Sequence, residues 1–89
     1  MDRHSHHPEI AARLKRASGH LLKVIDMIES DKDCVAVAQQ LQAVSNALIS
    51  AKRQYVSDHI EHCLEIQEGM SMRDVAAQMK AMKAITKYL

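Results

Sequence analysis

The sequence is poor in residues that phosphate-binding loops and β-rich domains need. Among its 89 residues there is no Trp or Phe, and there are two Tyr, two Gly, one Pro and two Cys. Because nucleotide-binding loops and the many turns of β-sandwiches rely on glycine, this scarcity argues against Rossmann, P-loop and β-sandwich domains. The chain is also too short for a multidomain enzyme. No apolar run approaches the roughly 20 residues that would cross a membrane.

The residues that are abundant favour helices. Apolar residues make up 47% of the chain, which is too many for a disordered protein, and most are Ala, Leu, Ile, Val and Met. A domain of this size buries only about 60% of its unfolded surface, so a core without large aromatic rings is marginal. We therefore expect an all-α fold that associates with further copies of itself.

Apolar residues recur at spacings of three and four along most of the chain, which predicts three amphipathic helices. They cover residues 8–28, 33–68 and 71–89, and a turn at residues 30–33 separates the first two. Residues 1–7 are polar and His-rich, and we expect them to form a flexible arm. Residues 8–89 then form one helical domain.

The predicted helix boundaries follow from capping signals. Pro8 suits the first position of a helix, and Gly69 is a stop signal at the end of the second helix. Ser71 and Asp74 resemble a capping box at the start of the third. Gly19 lies inside the first helix, where glycine is unfavourable, and suggests close packing of the backbone.

The predicted second helix is too long for one small chain to cover. A helix of about 35 residues extends over about 50 Å. Its apolar stripe needs partner helices, so at least a dimer is expected.

A candidate metal site lies near the end of this helix. His59 and Cys63 are four residues apart and therefore share one helical face, and His62 is adjacent. Imidazole and thiolate at this spacing form a two-point metal clamp, and Cys34 is the obvious third donor. On the same straight helix Cys34 lies about 37 Å from His59, so it can reach the clamp only from the other chain of an antiparallel homodimer.

Less specific interpretations of these residues stay open. Cys34 could be a small buried hydrophobe, the His/Cys pair could be a chance spacing, and the arm histidines a solvated tail. No Ser/His/Asp set or oxyanion hole is recognisable, so an enzyme is not expected. Two cysteines without a recognisable signal peptide indicate a reducing cytoplasm.

Taken together, these residues resemble a known family. The sequence is similar to the copper-sensing (CsoR) and nickel/cobalt-sensing (RcnR) repressors in Cys34 and the stretch that follows it, VAVAQQLQAVSNALISAKRQYVSDHIEHC, which contains His59 and Cys63, and in RLKRASGHL at residues 13–21. The resemblance extends from about residue 10 to residue 89.

The resemblance implies an antiparallel helical-bundle dimer that assembles as a dimer of dimers. It implies that the metal-free protein binds operator double-stranded DNA without a helix-turn-helix. It further implies that metal binding between protomers releases the DNA and derepresses efflux genes. Cys34 of one chain and the His59/Cys63 pair of the other carry over as ligands. The basic residues that carry over as DNA contacts are Arg13, Lys15, Arg16, Lys52 and Arg53.

The sequence leaves two options for the identity of the metal. Two thiolates and one imidazole suit Cu(I), but Asp33 stands where copper sensors of the family have a Tyr. The nickel/cobalt branch recruits a ligand from the N-terminal segment, and Ni(II)/Co(II) is slightly preferred here for that reason. The additional candidate ligands are His4, His6, His7 and His62. The alternative function is metal storage or delivery without DNA binding.

Overall fold

The chain folds into three α-helices. The computed structural model describes residues 6–63, 65 and 68–89, with the side chain of Cys63 outside the described part. Helix α1 spans His7–Glu29, α2 spans Cys34–Cys63 and α3 spans Met72–Ile85, and a 3₁₀ turn at Thr86–Tyr88 follows. The described residues contain no strand. The predicted all-α class with three helices is therefore confirmed.

Helices α1 and α2 form an antiparallel hairpin whose turn lies where the sequence predicts it. The amide of Asp31 donates to the carbonyl of Ile28, and that of Lys32 donates to the carbonyl of Met27, at 3.2 and 3.0 Å. This pair of bonds is a Schellman motif, which satisfies carbonyls at the end of α1. Asp31 has the left-handed φ of 54° that the motif requires, and Asp tolerates this conformation better than most residues do.

Helix α2 begins as expected and ends earlier than expected. Its first turn is capped by Asp33, whose Oδ2 accepts from the amide of Ala36 at 3.0 Å. The helix ends at Cys63, so the prediction of a helix to residue 68 is wrong. The sequence has no Gly or Pro between Asp33 and Gly69, yet the chain has to turn before α3 can pack against α2. Gly69 lies in that turn with a φ of 86°.

The start of α3 confirms the predicted capping box. The amide of Asp74 donates to Oγ of Ser71 at 3.0 Å. The amide of Ser71 donates in return to the carboxylate of Asp74 at 3.3 Å. Two amides that the helix itself leaves unpaired are satisfied by this exchange.

The buried core of a single chain is small, as its short length predicts. The buried apolar side chains of the described residues lie on α1 and α2 and are Ile10, Ala17, Val24, Val44, Ala51 and Val56. The structure is elongated, with extents of 61 × 24 × 14 Å. Large apolar residues of the predicted stripes stay exposed, among them Leu14, Leu21, Ile25, Ile28, Leu41 and Leu48. In a single layer of helices, the apolar residues on one face of the layer remain uncovered.

Gly19 has no close neighbour within its own chain. A Cβ atom placed there would meet nothing within 4 Å. The expected close packing of the backbone at Gly19 is therefore absent from the single chain. In addition, none of the helices in the described residues has the length and apolar character to span a membrane.

Candidate metal centre and nucleic-acid interface

The hairpin brings His59 against two other rings. The ring centroids of Tyr55 and His59 are 4.8 Å apart, with an interplanar angle of 31°. His7, in the first turn of α1, lies 5.2 Å from Tyr55 and 6.2 Å from His59, with interplanar angles of 23° and 12°. We call His7, Tyr55 and His59 the ring cluster. It forms because the antiparallel hairpin places the start of α1 beside the last turns of α2.

The sequence pattern predicts Tyr55 only as part of the apolar stripe of α2. It precedes His59 by four residues, which puts the two side chains on one face of the helix. It is also one of only two Tyr in a chain without Phe or Trp. That spacing was the available signal for a contact with the candidate ligand.

Cys34 lies at the opposite end of the same helix. It is the first residue of α2, and its thiol is free and exposed. Cys34 and His59 belong to one uninterrupted helix, and their sequence numbers differ by 25, which corresponds to about 37 Å of helix. Within the described residues, no three His, Cys, Asp or Glu side chains are grouped so that they could hold a metal ion.

The chemistry of the donor set nevertheless fits a soft metal ion. A thiolate and an imidazole are both ligands for such ions. Because the two donors are at opposite ends of α2, Cys34 and His59 of one chain cannot bind the same metal ion. An antiparallel second copy would place the Cys34 end of one α2 beside the His59 end of the other.

The remaining candidate ligands have varied surroundings. Nδ1 of His62 lies 3.7 Å from Oε2 of Glu65, which is three residues further along the chain. His6 is exposed, directly before α1. His4 and the side chain of Cys63 lie outside the described residues.

Several polar side-chain atoms near this end of α2 have no hydrogen-bond partner in the described part of the chain. They are buried and are Oε1 of Gln54, Oδ2 of Asp58 and, on α3, Oε1 of Gln78. Buried polar atoms are rarely left unpaired in a complete assembly. Their state is consistent with a surface that packs against further polar groups.

The basic candidates lie along both helices of the hairpin. Arg13 and Arg16 line an open cleft of about 310 Å³ between α1 and α2, together with His20 and Ser50. The guanidinium of Arg13 is also 3.4 Å from Glu9. The other three candidates, Lys15, Lys52 and Arg53, are exposed.

His20 is a residue whose position the sequence does not single out. Its Nε2 lies 2.7 Å from Oε1 of Gln40, so it joins α1 to α2. It also forms part of the wall of the arginine cleft. The sequence contained no signal for this contact, because the two residues are 20 positions apart.

Comparison with known proteins identifies the family. The profile described as "Metal-sensitive transcriptional repressor" matches residues 6–88. The copper-sensing transcriptional repressor CsoR of Bacillus subtilis is 30% identical over 81 residues, which cover 89% of this chain and 80% of that protein.

Two mycobacterial proteins show higher identity over shorter stretches. CsoR of Mycobacterium ulcerans is 49% identical over 51 residues, 57% of this chain and 44% of that protein. The copper-sensing transcriptional repressor RicR of Mycobacterium tuberculosis is 39% identical over 54 residues, 61% of this chain and 56% of that protein. The alignment thus spans about half the length of these two relatives. No solved structure matches the chain. Because the family profile covers nearly every residue, the chain belongs to the metal-sensitive transcriptional repressor family.

Proposed function

We propose that this metal-sensing transcriptional repressor responds to Cu(I). In the proposed cycle, the metal-free protein binds operator DNA and the Cu(I)-bound protein releases it, so that metal efflux or resistance genes are expressed. The observation that carries the proposal is the separation of Cys34 and His59 on one continuous helix. The two donors can meet only across an antiparallel pair of chains, so metal binding and subunit arrangement are coupled.

The donor set and the relatives both favour copper. Cys34, His59 and Cys63 would offer two thiolates and one imidazole, a set that suits a soft ion content with three ligands. The relatives described above are named as copper-sensing repressors. The slight preference for Ni(II)/Co(II) that the His-rich arm suggested has no support from these relatives.

The basic side chains of the hairpin would contact DNA phosphates. Arg13 and Arg16 share one cleft, and Lys15, Lys52 and Arg53 extend the positive surface. A dimer of dimers would repeat this surface along the duplex. Each phosphate contact releases condensed counterions, so we expect affinity for DNA to fall steeply as salt is raised.

Coupling between the two ligands has a thermodynamic consequence. If bound metal weakens DNA binding tenfold, bound DNA must weaken metal binding tenfold as well, a coupling of about 1.4 kcal/mol. Bound Cu(I) would supply a soft centre that joins thiolates and imidazole of two chains. The helices that carry Cys34 and His59 would have to shift relative to each other for these donors to converge.

Mixing two defective variants tests the site between chains. Cys34→Ala and His59→Ala should each abolish tight Cu(I) binding, measured anaerobically against a chelator of known affinity. Random reassociation should restore about one quarter of the sites, because half of the dimers are mixed and each has one complete site of two. No recovery on mixing would reject a site built from two chains.

DNA binding is tested separately by fluorescence anisotropy. A labelled duplex carrying the promoter region next to the repressor's own gene should bind at physiological salt and dissociate when Cu(I) is added. The His59→Ala protein should still bind DNA but should no longer respond to Cu(I). Tight Cu(I) binding without any DNA binding would indicate storage or delivery instead.

A further inference from the structure

The two rings beside His59 bear on how this candidate ligand is held in the metal-free chain. Tyr55 reaches it from one turn earlier on α2, and His7 reaches it from the first turn of α1. His59 is thus supported both from its own helix and from a second one. This arrangement is already formed within one chain.

These ring contacts do not occupy the ring nitrogens of His59. The ring of His7 is stacked with that of His59 at an interplanar angle of 12°, and the ring of Tyr55 is tilted by 31° against that of His59, so neither pair meets edge to face. Such packing engages the faces of the rings. The nitrogen lone pair of an imidazole lies in the plane of the ring, so contact through the faces does not compete with a metal for it.

Burial alone does not explain the presence of Tyr55. Its side chain is 39% exposed, so it adds little to the core of the single chain. The other Tyr of the chain, Tyr88, is 62% exposed in the 3₁₀ turn and takes no part in the ring cluster. Within the single chain the ring of Tyr55 contacts the rings of His59 and His7, and its exposed part belongs to the same apolar stripe as Leu41 and Leu48.

We propose that His7 and Tyr55 are positioning residues, which hold the imidazole of His59 in one orientation before a metal ion or the partner's thiol arrives. The inference rests on the proposed role of His59 as a ligand. A side chain that is already ordered loses less rotational freedom when it binds. Removing the support should therefore lower affinity for Cu(I) without removing a donor atom.

Four variants separate stacking from other roles of these residues. Tyr55→Leu and His7→Leu remove a ring, whereas Tyr55→Phe and His7→Phe keep a ring and remove the polar atoms. The first readout is the NMR chemical shift of the His59 ring protons in metal-free protein, because neighbouring rings shift these resonances. The second is Cu(I) affinity by chelator competition. Tyr88→Leu is the matched control, and circular dichroism confirms that each variant is folded.

We expect both Leu variants to move the His59 resonances and to weaken Cu(I) binding about threefold to tenfold, the range typical of aromatic pairs. Both Phe variants should keep His59 resonances that are shifted by a neighbouring ring, and together with the Tyr88→Leu control they should keep the affinity of the parent protein. Unchanged His59 resonances in the Leu variants would overturn the ring cluster itself. Altered resonances with unchanged affinity would overturn the positioning role.

One further outcome concerns His7 alone. If His7→Phe weakens Cu(I) binding as much as His7→Leu does, the nitrogen of His7 matters and the stacking role is wrong.

Failure of the proposed function would give a different result. In that case His59→Ala itself would leave Cu(I) affinity unchanged, while the resonances of the metal-free protein would still report the ring cluster.

Discussion

Nε2 of His20 lies 2.7 Å from Oε1 of Gln40, a hydrogen bond that joins α1 to α2 between residues 20 positions apart. It lies in the body of the hairpin, between the turn at residues 30–33 and the ring cluster. A side-chain bond of this kind favours one register of the two helices over its neighbours. Both the ring cluster and the arginine cleft depend on that register.

Replacing either partner of this bond should destabilise the fold modestly. We expect His20→Ala and Gln40→Ala each to cost about 0.5–1.5 kcal/mol of unfolding free energy, the usual net value of a hydrogen bond. The double variant should cost less than the sum, because both single changes remove the same bond. Urea denaturation at one fixed protein concentration is the measurement, since an oligomer's stability depends on concentration. Gln39→Ala, at the neighbouring exposed position, is the control, and strict additivity would contradict the bond.

The cap at the start of α2 should stabilise the turn that presents Cys34. Asp33→Ala removes the acceptor for the amide of Ala36 and should cost about 1 kcal/mol. Amide hydrogen exchange at Ala36 should accelerate in this variant. Asp33→Asn keeps an acceptor oxygen without the charge and should behave nearly as the parent does. Equal losses for Ala and Asn would mean that the charge, not the cap, matters.

The two glycines should respond in opposite ways to alanine. Gly69 has a φ of 86°, so Gly69→Ala should cost about 1–2 kcal/mol through a left-handed backbone. Gly19 lies inside α1 with nothing within 4 Å of an added Cβ, so Gly19→Ala should stabilise the helix by about 1 kcal/mol. Thermal unfolding at matched concentration measures both. A loss of stability or of oligomer in Gly19→Ala would show that another chain packs closely at this position.

Removing a cleft arginine should weaken DNA binding in a salt-dependent way. For Arg13→Ala or Arg16→Ala we expect lower affinity and a smaller slope of log K against log salt, by about 0.9 for each phosphate that the variant no longer neutralises. Anisotropy titrations over a range of salt concentrations provide the slope. Arg73→Ala, at an exposed position of α3, carries the same loss of charge outside the hairpin and is the control. Equal changes in all three variants would indicate a general charge effect and no defined contact.

Much of the fold was readable from local patterns. The turn between the first two helices and the capping box at Ser71 depend on residues within a few positions of each other. Both are where the sequence predicts them, because capping and periodicity are local. The end of α2 was misplaced by five residues, because it depends on the position of α3 and not on a nearby Gly or Pro.

The candidate site also has features that local sequence predicts and others that it does not. The spacing of His59 and Cys63, and the impossibility of Cys34 reaching them within one helix, follow from the sequence and from the constant rise of an α-helix. The four-residue spacing of Tyr55 and His59 likewise places their side chains on one helical face. The contact of His7 with His59 does not follow from the sequence, because the two residues are far apart in the chain and meet only after the hairpin closes in one register.

The sequence by itself determined the helical class, the local caps and the separation of the candidate donors, since each depends on the geometry of neighbouring residues. Tertiary structure decided the end of α2, the joining of His20 to Gln40 and the support of His59 by His7. These features depend on how two helices pack side by side. That packing is set by the buried contacts of Ala17, Val24, Val44 and their neighbours, which join distant parts of the chain.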